Sequence, residues 1–509
     1  MPVSISPLIT LSARDNVAVA RSPLTEGQII ALGSQVLTVR DAVDAGHKLA
    51  VHFIAAGTAV LKYGQTIGVA SRDIAAGEHV HVHNVVMVPS SAEHGAGSAY
   101  QATILNTQAA TFQGIVRADG RVATRNYIGV VSSVNCSATV CQRIAQHFTP
   151  ERLHAFPHVD GVVAITHGQG CGMAGSGESM EVLRRTLQGY MDQPNFSGVL
   201  VIGLGCEVNQ VSGLLQGLAE RPSGLLTALK IQEVGGTREA IAAGIAQVEL
   251  MLPIANQATR STVSARHLTV GLQCGGSDGY SGISANPVLG AAVDLLVRQG
   301  GTAILSETPE IYGAEHLLTA RAVSQEVAAQ LMARLQWWER YTQTHHADMN
   351  NNPSPGNKAG GITTILEKSL GAVAKGGSTG LMAVYEYAQP VKTQGLVFMD
   401  TPGYDPVSAT GQVAGGANLI CFTTGRGSTY GCKPTPSLKL ATHTALFEHM
   451  RLDMDFDAGT VIEGTQTIEQ AGQQLFALML ATASGESTSS ERNGLGDNEF
   501  VPWQLGAVM

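Results

Sequence analysis

Short apolar runs that end in glycine-rich, polar segments recur along most of the chain. The runs have the length and the β-branched character of buried strands, and several are followed by apolar residues spaced as in a helix. They lie at 128–131, 161–165, 199–202, 268–272, 303–305, 396–399 and 419–422. Strands alternating with helices predict an α/β fold with parallel, doubly wound sheets, in which neighbouring strands end at the same edge. The polar residues that follow each run are therefore the first candidates for chemistry.

The same pattern divides the chain into three parts joined by polar segments. Residues 1–88 carry shorter alternating runs separated by glycine turns, which predicts a small β-rich domain. Residues 89–111 lack periodicity and are interpreted as a linker. Residues 112–262 predict a middle α/β domain, and the polar stretch 254–266 at its end is interpreted as a second linker. Residues 267–509 predict a C-terminal α/β domain built on a parallel sheet.

Composition narrows the classes of function. The chain has 44% hydrophobic and 14% charged residues, 59 glycines and a net charge of −9, without a run of lysines or arginines. This argues against nucleic acid and anionic membranes as partners. The seven cysteines are odd in number and widely spread, unlike a disulfide framework. No apolar run approaches the roughly 18 residues of a membrane span, and no signal peptide is recognised, so we expect a cytoplasmic protein.

The segment Gly271–Pro287 is the most informative stretch. It leads from an apolar strand through a glycine-rich loop into an apolar helix, the layout that places a ligand at the end of a parallel strand. Cys274 offers a soft metal ligand, Asp278 a charge, Ser277 a hydrogen-bond donor and Asn286 an amide. The alternative is a tight turn in which Cys274 is buried as a small apolar residue.

Three further cysteines follow strands of the middle domain. Cys136, Cys171 and Cys206 each come shortly after an apolar run, as Cys274 does in the C-terminal domain. Thiolates are ligands for iron, zinc or an iron–sulfur cluster, and strand ends on one sheet edge converge. The alternative is four buried, apolar cysteines. The titratable neighbours of these thiols are His167 and Glu207.

Other strand ends carry charged residues. Glu307 and Glu310 follow the run at 303–305, where they are placed to serve as metal ligands or as a general base, or to lie at a helix start. Arg426 lies between two glycines and is a candidate to pair with a substrate carboxylate. Lys358 precedes a helix in a proline–glycine segment that forms either a carboxylate cradle or a rigid turn.

The N-terminal domain contributes imidazoles. His47 and Lys48 precede a strand, and His79, His81 and His83 alternate with valines. A period of two puts the three alternating histidines on one face of a strand, where they are able to hold a metal or a carboxylate. The alternative is a solvated edge strand.

Several long motifs, in order along nearly the whole chain, resemble those of the altronate/galactarate dehydratase family. They are VIGLGCE (201–207), LQCGGSDGYSGISANP (272–287), NPSPGNKAGG (352–361) and FTTGRGSTYG (422–431). The segment 309–315 is more similar to the altronate branch than to the galactarate branch. The resemblance implies a small β-clip domain of the SAF type, a linker, a middle domain that forms a homodimer contact, and a C-terminal Rossmann-like domain with a metal site.

The resemblance also implies dehydration of a sugar acid, D-altronate before galactarate, with Fe²⁺ under reducing conditions. Another divalent metal or an iron–sulfur cluster stays an alternative, as does a protein that binds sugar acids without turnover. The expected metal ligands are Cys274, Asp278, Glu307, Cys136, Cys171 and Cys206. The expected acid–base residues are Asp278, Glu307, His167, His47 and Lys48. The expected substrate ligands are Arg426, Lys358, Ser277 and Asn286.

Overall fold

The computed structural model describes residues 6–33, 35–88, 95–218 and 221–506. Within these ranges the chain is an α/β protein with an N-terminal β region and two regions built on parallel sheets. The α/β fold class predicted from the sequence is therefore confirmed. Of the expected linker 89–111, residues 89–94 lie outside the described residues.

The N-terminal region contains short antiparallel strands. They are β1 (Leu8–Ile9), β2 (Val17–Ala20), β3 (Ile29–Leu32), β4 (Gln35–Thr38), β5 (Lys48–Ala50), β6 (Ala59–Lys62), β7 (Gln65–Ala70), β8 (His79–Val80) and β9 (Val85–Val86). The strands form sheets in the orders β1-β2-β5-β8, β3-β4 and β6-β7-β9. Gly46 and Gly57 adopt φ angles of 82° and 78°, which glycine reaches without steric cost, so the predicted turns end the strands there.

One predicted strand of this region is wrong in length. The alternation at 79–83 predicts a strand throughout, but β8 ends at Val80. The side chain of the buried Asn84 accepts a hydrogen bond from the backbone N–H of His81 (2.9 Å) and donates to the carbonyl of His79 (2.8 Å). These local bonds replace strand pairing after Val80, so His81 and His83 lie in a turn and only His79 is in the strand.

The middle region contains one antiparallel and one parallel sheet. Its strands are β10 (Thr111–Val116), β11 (Val122–Ala123), β12 (Tyr127–Ser132), β13 (Gly161–Ile165), β14 (Phe196–Gly203), β15 (Leu226–Lys230) and β16 (Arg260–Ser264). Its helices are α1 (Ala138–His147), α2 (Pro150–Leu153), α3 (Glu178–Met191), α4 (Val211–Leu215) and α5 (Thr237–Ala255). The parallel sheet has the order β13-β12-β14-β15, and β11-β10-β16 form the antiparallel sheet.

The second predicted linker is instead a strand. Residues 254–266 were expected to connect two domains, but β16 pairs with β10 along its whole length. Four of its five side chains are polar and all five are at least partly exposed, as on an edge strand held mainly by backbone hydrogen bonds. Hydrophobic periodicity therefore could not predict this strand, because most of its side chains are polar.

The C-terminal region is built on a seven-stranded parallel sheet. Its strands are β17 (Thr269–Cys274), β18 (Thr302–Leu305), β19 (Leu381–Tyr385), β20 (Gly395–Met399), β21 (Leu419–Thr424), β22 (Ser437–Ala441) and β23 (Phe456–Asp457). The helices are α6 (Ala285–Arg298), α7 (His316–Thr319), α8 (Gln325–Thr344), α9 (Pro355–Ala359), α10 (Ile365–Val373), α11 (Asp405–Ala414), α12 (Thr444–His449), α13 (Gly459–Ile462), α14 (Ile468–Ala483) and α15 (Ser489–Arg492). Three single 3₁₀ turns lie at Thr308–Ile311, Met349–Asn351 and Ala374–Gly376.

The order of this sheet places β17 where the winding reverses. The order is β19-β20-β18-β17-β21-β22-β23, so the chain first winds to one side of β17 and then to the other. Loops diverge at such a switch point and leave a crevice at the carboxyl ends of the strands. Val270 and Leu272 of β17 are fully buried under α6 and hold the strand in the core. None of the helices in the described ranges has the length and apolar character needed to cross a bilayer.

Candidate active site

A buried thiol and two buried carboxyl groups meet at the end of β17. Cys274 Sγ lies 3.2 Å from Glu310 Oε2 and 3.6 Å from Glu307 Oε2. Both glutamates follow the neighbouring strand β18, so the parallel pairing of the two strands brings these three residues together. We call Cys274, Glu307 and Glu310 the thiol–carboxylate centre. Among the described residues this is the only group of three histidine, cysteine or acidic side chains whose ligand atoms all lie within 4.8 Å.

Two lysines from the α10 segment neutralise the centre. Lys375 Nζ lies 2.8 Å from both Cys274 Sγ and Glu307 Oε2, and Lys368 Nζ lies 2.7 Å from Glu310 Oε1. Burial alone lowers the pKa of a lysine, but the adjacent thiol and carboxylates outweigh it and raise the pKa of both. Both lysines are therefore cations at neutral pH.

The two glutamates differ in protonation. Burial, followed by repulsion from Glu310, raises the pKa of Glu307 to about 8. Burial also acts on Glu310, but Lys368 and Lys375 outweigh it and lower the pKa of that carboxyl group. Burial raises the pKa of the Cys274 thiol well above its usual range. An acid and a base of separated pKa in one place are typical of a catalytic site.

Glu307 also carries local strain. Its φ angle is +68°, a left-handed conformation that is rare outside glycine. Its backbone N–H donates to Thr401 Oγ1 at 2.9 Å, which helps to hold this conformation. Its Oε1 atom is buried and has no hydrogen-bond partner within the described part of the chain. Strain and an unpaired buried oxygen are unfavourable for folding and are found where a ligand is bound.

The centre opens into a cleft of about 520 Å³. Cys274, Glu310 and Lys368 form part of its wall, together with Trp338, Asn352 and Asp405. Burial, followed by repulsion from Glu310, raises the pKa of Asp405 to about 6. This cleft, the thiol cleft, therefore combines one cation, three carboxyl groups and a thiol in a volume suited to a small polar molecule.

A second cleft lies between the N-terminal region and the large sheet. It has a volume of about 560 Å³ and is lined by Arg21, His47, Asp278, Arg426 and His443, among others. Asp278 accepts hydrogen bonds from Ser281 Oγ (3.0 Å) and Thr442 Oγ1 (3.0 Å), and burial raises its pKa. We call this the interdomain cleft.

Buried ion pairs fasten the N-terminal region to α10. Lys48 Nζ lies 2.9 Å from Glu367 Oε2, and Lys62 Nζ lies 2.8 Å from Glu367 Oε1, with all three side chains almost fully buried. Glu367 precedes Lys368, so α10 presents one residue to the N-terminal region and the next to the thiol–carboxylate centre. We call Lys48, Lys62 and Glu367 the interdomain clamp.

Comparison with known proteins follows the three regions of the fold. Residues 6–88 match the family described as the altronate/galactarate dehydratase SAF domain. Residues 114–256 match the second domain of D-galactarate dehydratase/altronate hydrolase, and residues 265–508 match the C-terminal part of D-galactarate/altronate dehydratase.

Whole-chain relatives agree with these matches. The chain is 34% identical to altronate dehydratase of Bacillus subtilis (strain 168), over 95% of this chain and 96% of that protein. It is 37% identical to altronate dehydratase of Escherichia coli (strain K12), over 95% and 97%. The chain belongs to the altronate/galactarate dehydratase family. It is also 38% identical to galactarate dehydratase (L-threo-forming) of Escherichia coli (strain K12), over 89% and 88%. Membership of this family makes the chain an enzyme of the hydro-lyase type.

In this member of the dehydratase family, the expected metal ligands lie in different places. Cys136, Cys171 and Cys206 follow β12, β13 and β14 of the middle sheet and are exposed, whereas Cys274 is buried at the C-terminal sheet. The expectation that all four thiols share one sheet edge is therefore not met, and neither is the alternative of four buried cysteines. Asp278 lines the interdomain cleft, whereas Cys274 lines the thiol cleft.

The remaining expected residues also have defined surroundings. His167 lies in the middle region, where Nε2 is 3.0 Å from the carbonyl of Ser132. Asn286 donates to the carbonyl of Gly371 (2.9 Å) and accepts from Thr423 (2.6 Å). Ser277 is buried and directly follows the Gly275–Gly276 loop. Lys358 is partly exposed and lies on α9.

Sequence reasoning missed Lys368, Lys375 and Asp405. Their partners are distant along the chain: Lys375 and Cys274 are separated by 101 residues. A signal was present for the lysines, because Glu367, Lys368 and Lys375 are charges within an otherwise apolar helical stretch. Charged residues on the buried side of a helix require partners or a function.

We expect Gly279→Ala to loosen the N-terminal domain. A Cβ atom at residue 279 would lie 1.9 Å from the carbonyl oxygen of Gly46, so the two regions would have to move apart. Such overpacking lowers the free energy of unfolding by about 1–3 kcal/mol. The variant should unfold at lower denaturant concentration and be cleaved faster near the N-terminal domain in limited proteolysis. Gly168→Ala is the matched control, because nothing lies within 4 Å of its Cβ position. Equal stability of the two variants would contradict this packing.

Proposed function

We propose that the protein dehydrates D-altronate to 2-dehydro-3-deoxy-D-gluconate and water. The observation that carries the proposal is the thiol–carboxylate centre at the switch point of the C-terminal sheet. Altronate is placed before galactarate because the segment 309–315 is more similar to the altronate branch; the altronate dehydratases align over 95% of the chain and the galactarate dehydratase, at 38% identity, over 89%. Galactarate, giving 5-dehydro-4-deoxy-D-glucarate, is the alternative substrate.

The donor atoms of the centre suit Fe²⁺. Once Cys274 and Glu307 lose their protons on metal binding, a thiolate with two carboxylates would combine soft and hard ligands for iron, and the unpaired Oε1 of Glu307 is available for a further contact. Cys274, Glu307 and Glu310 would hold the ion, and Lys368 would orient Glu310 from outside. When bound, the ion supplies Lewis acidity toward the substrate's oxygen atoms.

The side chains of the thiol cleft provide the remaining chemistry. Dehydration removes a proton next to a carboxylate and expels the neighbouring hydroxyl group, so negative charge builds up on the carboxylate. The Lys368 ammonium group on the cleft wall stabilises that charge. Asp405, with a pKa raised to about 6, is ionised at neutral pH and accepts the proton. The hydroxyl group leaves as water after taking up a proton from Lys368, the cation in the cleft wall.

The interdomain cleft is a second candidate for the substrate. Its wall contains Asp278, a potential base, and the cations Arg21 and Arg426, which are able to bind a sugar-acid carboxylate. The loop Gly275–Gly276 separates the two clefts, because Cβ positions on Gly275 and Gly276 face Asp405 and Arg426, respectively. A large rise of KM in Arg426→Met would favour this cleft, and an unchanged KM would favour the thiol cleft.

The assay that tests the function compares two sugar acids. Protein purified without oxygen, supplied with Fe²⁺ and a thiol reductant, should form a 2-keto-3-deoxy acid from D-altronate. Galactarate is tested in parallel on the same sample, with metal content measured before and after chelation. Iron-dependent product from altronate supports the proposal, and product from galactarate alone would reverse the substrate assignment. If iron is bound and neither acid gives product, both the altronate and the galactarate assignment would be overturned.

We further propose that the enzyme acts in the cytoplasm as a homodimer formed through its middle domain. The net charge of −9 supports a small sugar acid, rather than nucleic acid or an anionic membrane, as the partner. Sedimentation of the purified protein at monomer mass would exclude the dimer.

A further inference from the structure

Histidines of the N-terminal region cluster beside the interdomain cleft. The ring centroids of His47 and His81 are 5.0 Å apart, those of His47 and His79 5.3 Å, and those of His79 and His81 5.4 Å. We call these three residues the imidazole triangle. Three imidazoles bound to one tetrahedral ion at about 2.0–2.1 Å hold their centroids about 5 Å apart. We propose that the imidazole triangle binds a divalent transition metal of the zinc class, at a site separate from the thiol–carboxylate centre.

Hydrogen bonds prepare His47 to be a ligand. His47 Nε2 lies 3.2 Å from the carbonyl oxygen of Ala359, which only accepts, so Nε2 carries the proton. Nδ1 is then left with its lone pair and points at His79 Nε2, 3.1 Å away. Two nitrogen ligands of a tetrahedral ion are about 3.3 Å apart, so the ion replaces the proton shared by these atoms. That proton moves to His79 Nδ1, and the ring stays neutral.

His81 supplies an unpaired nitrogen. Its Nδ1 atom is buried and has no hydrogen-bond partner in the described ranges. The nitrogens of the three rings do not all lie within 4.8 Å of one another, so binding requires the His81 ring, now at 87° to that of His47, to rotate and present a nitrogen to the ion. The side chain of Asn84 bonds to the backbone of His79 and His81 and fixes their positions. A metal ion therefore satisfies a polar atom that the folded chain leaves without a partner.

The rings of the imidazole triangle are held in the form that binds metals. Burial is the main cause that lowers the pKa of His79 and His81 to about 4, so both rings are neutral at pH 7, the form that binds metals. The positive charge of Lys48 is close, but the clamp residue Glu367 pairs with it. The carboxylates of Asp41 and Asp44 act on His79 and His47 and offset the charge further.

A cobalt titration tests the site. Metal-free, full-length protein is titrated anaerobically with Co²⁺, whose visible bands report tetrahedral nitrogen ligands and whose near-ultraviolet bands report thiolate. We expect about two equivalents per chain, one at each site. His81→Ala should keep the thiolate bands and lose about one equivalent, with affinity at the triangle falling at least about tenfold. Cys274→Ser should show the reverse pattern.

His83→Ala is the matched control. His83 is exposed, and its ring lies 5.4 Å from that of His79, outside the triangle. The His83→Ala variant should still bind two equivalents of Co²⁺ per chain. The thiolate bands in each histidine variant report that the chain is folded, and His81→Gln replaces His81→Ala if they are lost. Unchanged titrations of His79→Ala and His81→Ala, or equal weakening in His83→Ala, would overturn the site. Loss of thiolate binding alone would count against the iron proposal and leave the imidazole triangle standing.

Discussion

Cys274→Ser should lower kcat/KM for sugar-acid dehydration by about 10²–10³-fold, the scale seen when one group that stabilises a transition state is removed. Serine keeps the size of the side chain but is a poor ligand for iron, and it leaves Lys375 without its thiol contact. Bound iron should fall together with the rate. Both quantities are measured on the same anaerobic sample, by steady-state kinetics and elemental analysis.

A buried cysteine elsewhere provides the control for this variant. Cys421 lies on the neighbouring strand β21 and is fully buried, outside the thiol–carboxylate centre. Cys421→Ala should cost some stability but keep metal content and rate close to those of the parent enzyme. A parent-like rate in Cys274→Ser would place the reaction outside the thiol cleft. Loss of rate with full iron content would mean that Cys274 acts on the substrate and not on the ion.

Glu367→Gln should destabilise the protein by about 3–5 kcal/mol, because it leaves the ammonium groups of Lys48 and Lys62 buried without a counter-charge. Glutamine keeps the shape and some hydrogen bonds, so the loss reports charge. The measurement is the midpoint of denaturant unfolding at neutral pH. We expect the N-terminal domain to become sensitive to protease first, since the clamp fastens it to α10.

An exposed glutamate is the control for the clamp. Glu386 pairs with Arg185 and Arg334, and its side chain is 50% exposed. Glu386→Gln should change stability by less than about 1 kcal/mol, because exposed ion pairs are screened by water. Equal effects of the two substitutions would mean that Lys48 and Lys62 find other partners, or lose their charges, at little cost.

The clamp also predicts how stability depends on pH. Burial raises the pKa of Glu367, but Lys48 and Lys62 outweigh it, and the net pKa lies below the ordinary value. A carboxyl group whose pKa is lowered on folding stabilises the protein above its unfolded pKa of about 4.3. That contribution is lost as the pH falls below this value and approaches the folded pKa. The stability difference between the parent and Glu367→Gln should therefore shrink below about pH 4.

Hydrophobic periodicity predicted much of the fold. The runs at 303–305, 396–399 and 419–422 are β18, β20 and β21, because a strand buried on both faces must be apolar throughout. The same reasoning failed at β16, whose polar side chains face solvent, and at residues 81–83, where Asn84 forms a turn. The hydrophobic pattern of a sequence identifies buried elements. It does not identify elements that are held by backbone or local side-chain hydrogen bonds.

The sequence by itself determined which segments are strands and helices and which polar residues follow them, because periodicity and glycine breaks are local properties of the chain. It also carried the motifs that place the chain in its family. Only the tertiary structure decided which strand ends meet. It put Cys274 with Glu310 and Lys375, apart from the thiols of the middle sheet. Strand order and side-chain pairing depend on packing between segments that are distant along the chain. Lys48 and Glu367, for example, are 319 residues apart. No local sequence pattern encodes which distant segments pack together.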